Sequence, residues 1–519
     1  MKKLTAETIK KCLEEANGSE RLASDNTIDK IALLEETAKL FMEEGIGSAL
    51  LVRLMKSRQY MLRLTANGEF LAAVRRETGS DSPKLRRNAA RMLGQVSRER
   101  EDALLLIDML KKEDTRFVIP TILLSIGSVG GEEAQAFLDG YTPAQPADET
   151  EQKHYENEIE ALKLARVTAM KHEKHVFKGL DKKYEIELVT PDRLSEQLKE
   201  ELDDMDIQAY DVRMASLKVK TDDYEGLFCA RCFSEALFTV AIGVSMKPKV
   251  VAEKAKSFML DFMRATHEGE PPYRYRIEVN GEVENRTEYK KQLRDIIDDE
   301  EIVNSPSDYE IELRIEANGN ASRIYVKLMT VKDKRFMYRL ESIPASMSPA
   351  TAAAVLRLAS EYLTVNARVI DPCCGSGTML FERGLISPCD SLTGVDIAHR
   401  AIDAARRNSE AAARMGIKQA KFICNDILRF ESKRPYDELI CNLPFGNRVG
   451  THSGCEMLYS GLLDRLPQLV KRGGIAVLYT MEFTMLKRMI KERANIEILK
   501  QERTESGGLM PMIFILRVK

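Results

Sequence analysis

The sequence predicts a multidomain chain that has a helical N-terminal region, an α/β middle and a C-terminal α/β domain built on a parallel sheet. Apolar residues recur at helical spacing from Leu4 to Tyr141, strand and helix patterns alternate from Lys183 to Met329, and apolar strands alternate with helices after Ala367. We therefore expect a helical region with its linker at 1–170, two α/β domains at 171–268 and 269–342, and a parallel-sheet domain at 343–519.

The composition favours a globular protein of the cytoplasm. The 519 residues are 44% hydrophobic, which is ample for several cores, and 78 basic residues against 81 acidic ones give a net charge of −3. Any surface that binds nucleic acid must therefore be a local patch. No apolar run is long enough to span a membrane and the charged start lacks a secretory signal, so we expect no membrane partner. Nine cysteines at irregular spacing favour reduced thiols.

The helical region contains a weak internal repeat. Asp81–Val96 aligns with Asp114–Val129 at an offset of 33 residues, with Asp, Gly and Val in matching places. The repeat resembles HEAT-type helical pairs, which stack to bury a shared core. The first copy carries a basic run, namely Lys84, Arg86, Arg87 and Arg91. This run is either a phosphate-binding face or an ordinary solvated helix face.

A polar stretch, Thr142–Gln152, ends the helical region, and a charged helix at His154–His172 leads into the next domain. The alternation that follows is typical of a ferredoxin-like unit. Its predicted strands are Tyr184–Val189, Ala209–Val219 and Gly226–Arg231, and its predicted helices are Asp192–Leu202, Ser234–Phe238 and Pro248–Met263. A small α/β module then has a helix at Glu288–Ile297 and a hairpin at Tyr309–Met329 around Asn318-Gly319-Asn320.

Cys229 and Cys232 form a single CxxC pair at the end of a predicted strand. A tetrahedral zinc site needs four ligands, and neither a second pair nor a histidine accompanies this one. We expect two buried thiols here and no metal.

The segment Val369–Glu382 reads VIDPCCGSGTMLFE and predicts a ligand-binding turn between a strand and a helix. The strand is Ala367–Ile370, and the helix includes Met379. Gly375 and Gly377 have no Cβ, so the turn can bend sharply and let a ligand lie against the backbone. A turn of this kind before a helix offers backbone N–H groups to a polar ligand.

Asp396 follows the second apolar strand, Ser391–Val395, and lies 25 residues after Asp371. An acidic side chain in this place of a βαβ unit binds the hydroxyl groups of an adenosine ribose. The turn is GSGT and lacks the GxGxxG of a nicotinamide dehydrogenase, and the fourth strand, Glu438–Cys441, ends in NLPFG. The cofactor is therefore expected to be an adenosine compound other than a nicotinamide dinucleotide.

Four ordered motifs, GSGT, GVDI (Gly394–Ile397), CNDI (Cys424–Ile427) and CNLPFG (Cys441–Gly446), resemble those of class I S-adenosylmethionine-dependent methyltransferases. That family has a Rossmann-like fold, and the branch with an N/D-P-P-Y/F motif methylates planar exocyclic amines. The resemblance implies that Asp371, Gly375 and Gly377 border the methionine part of the cofactor, Asp396 binds the ribose, and Asp426 with Ile427 holds the adenine. It also implies cofactor contacts from Cys373, Ser376, Thr378, Ile397 and Asn442.

The NLPF segment has a chemical reason of its own. The lone pair of an exocyclic purine amine is delocalised into the ring, so the amine is a poor nucleophile. If the Asn442 side-chain carbonyl and the Leu443 backbone carbonyl accept its two hydrogens, the lone pair points toward the methyl donor. Pro444 makes the tip rigid, and Phe445 can stack on the base. No metal or covalent enzyme intermediate is needed. The alternative is an ordinary strand-end turn.

Ser348 and Pro349 begin a predicted helix that either closes over the cofactor, as in the resembling family, or is a plain packing helix. Further downstream we expect a helix at Met457–Leu466 and two closing strands, GIAVLYT and MIFILRV.

The order of domains resembles that of THUMP-domain RNA methyltransferases, and with NLPFG it resembles the tRNA guanine-N2 methyltransferases. The resemblance implies a monomer that methylates a tRNA acceptor stem, typically at position 6. That subfamily commonly has aspartate where this chain has Asn442, which leaves adenine N6 open. A ribosomal RNA guanine is a further target of the same class. The alternative of another class is an RNA-binding assembly scaffold with an inactive methyltransferase domain.

Overall fold

The computed structural model describes residues 3–25, 27–146, 148–169, 175–306, 308–343, 346–445, 452–505 and 508–519. The chain divides into two compact units, 1–174 and 175–519. The described part of the first unit is helical, as predicted. Its helices are α1 (Ala6–Glu14), α2 (Gly18–Ser24), α3 (Lys30–Glu44), α4 (Ser48–Leu54), α5 (Arg58–Thr65), α6 (Gly68–Glu77), α7 (Pro83–Val96), α8 (Arg100–Lys111), α9 (Ile119–Val129), α10 (Glu132–Gly140) and α11 (Glu149–Ala169).

The internal repeat has a structural basis in two glycines that are 33 residues apart. A Cβ on Gly94 of α7 would lie 2.8 Å from the Ser125 Cα of α9, and a Cβ on Gly127 of α9 would lie 2.7 Å from the Ala165 Cα of α11. Both positions therefore permit close approach of the next helix. The helices α7, α9 and α11 stack in order, and each copy of the repeat contributes one of these contacts.

Two expectations for the first unit need correction. The charged helix α11 begins at Glu149, inside the predicted polar boundary, and packs on α9, while its predicted end at His172 lies outside the described residues. The residues of the basic run also differ in their contacts. Arg86 donates to both carboxylate oxygens of the buried Glu113, and the Arg87 guanidinium lies 5.5 Å from the Phe117 ring centre. Only part of the run is therefore available to a phosphate.

One eight-stranded sheet dominates the middle of the chain, in the order β3-β4-β2-β5-β10-β9-β7-β8. Its strands are β2 (Tyr184–Val189), β3 (Ala209–Tyr210), β4 (Ser216–Thr221), β5 (Glu235–Ser245), β7 (Tyr273–Asn280), β8 (Ile302–Asn304), β9 (Ile311–Asn318) and β10 (Ala321–Leu328). The short strands β1 (Val176–Phe177) and β6 (His267–Glu268) pair with each other in a separate two-stranded sheet. The helices are α12 (Ser195–Asp203), α13 (Pro248–Thr266) and α14 (Arg286–Ile297). Strands before and after the predicted domain boundary at residues 268 and 269, such as β5 and β7, belong to this one sheet.

Two predicted elements of the middle sheet are wrong. Ser234–Phe238 is no helix, because Glu235 begins the long strand β5, whose Ala236 and Phe238 side chains are buried. Gly226–Arg231 is no strand, because the Gly226 N–H donates to the Asp223 carboxylate and a 3₁₀ turn follows. Cys232 is buried as expected, whereas Cys229 is exposed.

The C-terminal sheet has seven strands in the order β13-β12-β11-β14-β15-β17-β16. Strand β17 runs in the opposite direction to the other six. Its strands are β11 (Ala367–Asp371), β12 (Cys389–Asp396), β13 (Lys421–Cys424), β14 (Tyr436–Asn442), β15 (Val470–Thr480), β16 (Ile496–Arg503) and β17 (Met512–Val518). Its helices are α15 (Pro349–Leu358), α16 (Thr378–Ile386), α17 (His399–Arg414), α18 (His452–Leu469) and α19 (Phe483–Lys491). This confirms the predicted Rossmann-like fold.

The strand order reverses between β11 and β14, so chain connections leave this point in opposite directions. Ligands of open α/β sheets bind beyond the carboxyl ends of the strands at such a point. The predicted helix at Ser348 is α15, which is buried along most of its length and packs against α16, the helix that follows the GSGT turn.

Candidate active site

Three neighbouring parallel strands end on polar residues that the sequence singled out. Asp371 is the last residue of β11, Asp396 of β12 and Asn442 of β14. Because the three strands are adjacent and parallel, their carboxyl ends lie side by side at the switch point. The fold therefore gathers the predicted ribose, methionine and catalytic residues at one edge of the sheet.

The glycine-rich turn takes the predicted bend but uses several of its N–H groups internally. Gly375 and Gly377 have φ values of +52° and +88°, which disfavour other residues. The N–H groups of Gly375 and Cys373 donate to the Asp396 and Asp371 carboxylates, at 2.9 and 3.1 Å. Those of Cys374 and Gly377 donate to backbone carbonyls. The expectation that the turn offers these N–H groups to a ligand is therefore wrong for this conformation.

Ser376 and Thr378 are buried in the same turn. The Ser376 hydroxyl lies 3.0 Å from that of Ser346, and its carbonyl accepts from the Asn408 amide. The Thr378 Oγ1 is buried and has no hydrogen-bond partner among the residues described. Ser376 therefore holds the turn in place, whereas the Thr378 hydroxyl still has an unused hydrogen bond.

Asp371 is 1% exposed, and burial raises the pKa of its carboxyl group to about 8. The nearby charge of Asp396 acts in the same direction, while the Cys373 N–H and a hydrogen bond with the Cys441 side chain oppose it. A buried carboxyl group of this kind becomes ionised when a cation binds beside it. Its position at the switch point suits a ligand that carries positive charge.

Asp396 and Ile397 together present a polar and an apolar group at the end of β12. The Asp396 oxygens accept from the Gly375 and Ala398 N–H groups, both at 2.9 Å, and each oxygen keeps a further lone pair. Ile397 is 74% exposed, although isoleucine is usually buried. This pair is suited to a ribose and the adjoining flat base of an adenosine.

Asp426 and Ile427 differ in what they can offer an adenine. Asp426 is partly exposed, and its carboxylate accepts from the Leu428 N–H at 2.9 Å. The Ile427 side chain is only 3% exposed and packs in the core, and its carbonyl accepts from Arg465. Any contact of Ile427 with a ligand must come from its backbone.

The NLPF tip is fixed from beneath. The Leu443 N–H donates to the Tyr479 carbonyl at 2.9 Å, and the Pro444 carbonyl accepts from the Tyr459 hydroxyl at 2.8 Å. Cys455 donates to the same carbonyl, and Tyr459 also bonds with Thr480. Gly446, the last residue of the motif, lies outside the described residues.

The predicted acceptor, Asn442 Oδ1, is buried and has no hydrogen-bond partner within the described ranges. A buried polar atom without a partner costs about 1–3 kcal/mol, and native proteins satisfy nearly all of them. Phe445 is partly exposed beside it, with its ring centre 6.1 Å from that of Tyr479. A hydrogen-bond donor on a flat ligand would satisfy this site.

Sequence reasoning missed the buried charges that support these strands. Arg383 of α16 and Glu438 of β14 are both fully buried and pair at 2.6 Å, which links the helix after the turn to the strand that carries Asn442. The neighbouring Glu382 accepts from Arg231 at 2.8 and 2.9 Å and from the Tyr338 hydroxyl. The signal was present as charged residues within two apolar runs, MLFERGLI and DELIC.

No helix in the described part of the chain is both long and apolar enough to cross a membrane. Within the same residues, no group of three or more His, Cys, Asp and Glu side chains is arranged to hold a metal ion.

Comparison with known proteins shows which family the sequence around this site matches. Residues 337–512 match the family UPF0020, described as an RMKL-like methyltransferase domain. A curated relative, the tRNA (guanine(6)-N2)-methyltransferase of Thermus thermophilus, is 27% identical over 208 residues, which are 40% of this chain and 60% of that protein. The chain thus spans less than two thirds of the length of that relative.

Solved structures show the same fold over about two thirds of the chain. TrmN from Thermus thermophilus matches with a TM-score of 0.51 and 21% identity, covering 64% of this chain and 99% of that one. SMU.472, solved in complex with SAH, matches with a TM-score of 0.53 and 13% identity, covering 66% and 99%. Residues 337–512 therefore match an RMKL-like methyltransferase domain of the UPF0020 family, and the cofactor is S-adenosyl-L-methionine.

Proposed function

We propose that the protein methylates the exocyclic N2 amine of a guanosine in structured RNA, in a tRNA acceptor stem at position 6. The observation that carries this proposal is the buried Asn442 Oδ1 at the end of β14, which has no hydrogen-bond partner among the described residues. It lies at the sheet edge shared with Asp371 and Asp396. An amine is the group that would satisfy it, because an amide oxygen only accepts hydrogen bonds.

The residues at this edge fit the cofactor. The partly exposed Asp396 carboxylate and the exposed Ile397 side chain would bind the adenosine part, with Asp426 toward the base. Asp371 would ionise beside the cationic amino-acid part, which replaces a buried neutral acid by a charge pair. When bound, S-adenosylmethionine supplies an electrophilic methyl group on its sulfonium.

The chain's own contribution is to position the amine. Asn442 Oδ1 and the Leu443 carbonyl accept its two hydrogens and direct the nitrogen lone pair away from the ring plane. Phe445 stacks on the base, and the bonds from Tyr459 and Cys455 to the Pro444 carbonyl keep the tip in place. Asparagine does not take up a proton near neutral pH, so the proton of the methylated amine leaves to solvent.

The rest of the chain would hold the RNA. We propose that residues 171–268 and 269–342 act as a ferredoxin-like and a THUMP-type RNA-binding part, and that residues 1–170 act as a HEAT-like extension. The relative named for guanine 6 of tRNA supports this substrate. A-form RNA hides its base edges in a deep major groove, so the target base must leave the stack to reach Phe445. We place this reaction in the cytoplasm and assign it to a monomer.

Mass spectrometry of nucleosides tests this proposal. Full-length protein is incubated with isotope-labelled S-adenosylmethionine and with tRNA, ribosomal RNA or a blunt RNA duplex. We expect labelled N2-methylguanosine from tRNA far above that from the other two. Labelled N6-methyladenosine, or label only in ribosomal RNA, would assign a different target, and absence of cofactor binding by calorimetry would favour the scaffold alternative.

A further inference from the structure

A basic groove lies on the second unit, between α19 and Met512, the first residue of β17. It has a volume of about 550 Å³, in the range of natural ligand sites of about 300–1,000 Å³. Its lining includes Phe483, Lys487, Arg488, Lys491, Glu492 and Met512. None of these residues belongs to the cofactor site or to the NLPF tip.

Strand register places the Met512 end of this groove at the catalytic edge of the sheet. Asn442 lies opposite Tyr479 of β15, and the next residue, Thr480, lies opposite Met512 of β17. Two strand spacings therefore separate the strand of Asn442 from the groove, a lateral distance of about 10 Å. A stacked strand rises about 3.4 Å per nucleotide, so the groove is within reach of nucleotides about three positions from the target base.

The cations of this groove are largely free for a ligand. Lys487 and Lys491 form no ion pair with any residue in the described ranges. Arg488 pairs with Glu456 at 3.2 Å, but both side chains are at least half exposed, so the pair contributes little. Much of the remaining basic surface of the second unit is paired more closely, as in Arg314 with Glu235 and Glu312. The groove is therefore a local positive patch on a chain whose net charge is −3.

The groove also contains a flat aromatic surface. Phe483 is partly exposed at the start of α19, and the Arg503 guanidinium lies 5.5 Å from its ring centre. Arg503 lies opposite Met512 in the neighbouring strand, which puts it beside the groove at the same edge. Aromatic rings and guanidinium planes are the groups on which proteins stack unpaired bases.

We propose that this groove binds the RNA strand next to the methylated nucleotide, with Lys487 and Lys491 on phosphates and the Phe483–Arg503 pair under a neighbouring base. The proposal rests on the proposed function, because it requires an RNA substrate. It assigns a second RNA-binding surface, on the methyltransferase domain itself. This surface would hold the displaced segment while the target base lies at Phe445.

Charge reversal tests the phosphate contacts. The double variant Lys487→Glu/Lys491→Glu is compared with Lys433→Glu/Arg434→Glu, which makes the same charge change at exposed residues before β14, at the opposite edge of the sheet. We expect the α19 variant to lose at least about tenfold in tRNA affinity at low salt. Its plot of log K against log salt concentration should become shallower by about 1.4–1.8, since each lost phosphate contact contributes about 0.7–0.9. The control should stay within about twofold.

The stacking contact is tested with Phe483→Leu. We expect about a fivefold loss of tRNA affinity with an unchanged salt slope, because no charge is removed. Unchanged affinity for S-adenosylmethionine verifies that both groove variants are folded. If the α19 double variant matched its control while the wild type bound and methylated tRNA, the groove would be wrong and the proposed function intact. If the wild type bound the cofactor but neither bound nor methylated RNA, both would be wrong.

Discussion

The middle sheet and the carboxyl edge of the C-terminal sheet treat buried acids in opposite ways. On the middle sheet, Glu235 accepts from Arg314 at 2.9 Å and from Lys327 at 2.6 Å. Burial alone would raise its pKa, but these bonds outweigh burial and lower the pKa to about 2. At the carboxyl edge of the C-terminal sheet, Asp371 is buried without a cation beside it in the described structure, and its pKa is about 8. A buried acid with a cationic partner, such as Glu235, supports the fold, whereas a buried acid without one, such as Asp371, is available to a ligand.

Two neutral groups show the same contrast. On the middle sheet, the buried Tyr325 hydroxyl donates to Glu187, which also accepts from Ser216. At the carboxyl edge, Asn442 Oδ1 has no partner among the described residues and Ile397 is 74% exposed. Substitutions at the carboxyl edge should therefore change ligand affinity and rate, whereas those on the middle sheet should change stability.

The largest binding effect is expected for Asp396→Ala. A hydrogen bond to a charged acceptor contributes about 1.5–3 kcal/mol, so affinity for S-adenosylmethionine should fall about 10- to 100-fold by calorimetry. The Asp396 carboxylate also holds the Gly375 N–H, so part of the loss comes from the turn. Asp403→Ala is a matched control, because Asp403 is an exposed residue of α17. Undiminished affinity in Asp396→Ala would contradict the placement of the site.

Glu235→Gln tests the other side of the comparison. It removes the charged partner of Lys327 and leaves Arg314 with Glu312 alone, so denaturant unfolding at pH 7 should show a loss of about 1–3 kcal/mol. Affinity for the cofactor should not change. The exposed Glu253→Gln is the control and should stay within about 0.5 kcal/mol. Because the pKa of Glu235 is depressed, its contribution is present above about pH 4.5 and is lost toward about pH 2.

The raised pKa of Asp371 predicts a pH dependence of cofactor binding. Below about pH 8 the carboxyl group is protonated and must lose its proton to pair with a cationic ligand. Affinity should therefore rise by up to about tenfold per unit from pH 6 and level off above pH 8. In the free protein, the contribution of Asp371 to stability is present below about pH 4 and is lost as pH rises through about 8. Asp371→Asn should give a flat affinity profile in calorimetry, and a retained slope would assign the titration to another group.

A small effect is expected for Tyr459→Phe. The Pro444 carbonyl loses one donor but keeps Cys455, so the single-turnover methylation rate should fall only a few-fold, equivalent to about 0.5–1 kcal/mol. Tyr436→Phe is the control, because Tyr436 begins β14 at the edge away from the site. An effect of 100-fold would mean that Tyr459 does more than hold the tip.

The sequence was most informative where local patterns decide the structure. The strands that end at Asp371, Asp396 and Asn442 follow from short apolar runs before a turn motif. Contacts between residues that are far apart in the sequence could not be predicted from such local patterns. The internal use of the Gly375 N–H depends on Asp396, which is 21 residues away, and the burial of Ile427 depends on a core formed by later strands and helices.

Prediction failed on the middle sheet for a related reason. The sequence predicts a helix at Ser234–Phe238, whereas the structure begins β5 at Glu235, whose charge is paired by Arg314, 79 residues away. The ion pair between Arg383 and Glu438 spans 55 residues, so charged residues within the two apolar runs indicate burial but do not identify the partner. Long-range pairing of charges, which the middle sheet uses throughout, is invisible to periodicity.

The central claim is that Asn442 Oδ1, which has no partner in the described part of the chain, accepts the substrate amine. Single-turnover methylation of tRNA tests this claim most directly. With saturating cofactor and enzyme in excess, Asn442→Ala should lower the rate by about 10²-fold or more while the affinities for cofactor and RNA stay within about twofold. Asn442→Asp, which keeps an acceptor in the same place, should retain most of the rate. A near-normal rate for Asn442→Ala, or an equal loss in both variants, would contradict the claim.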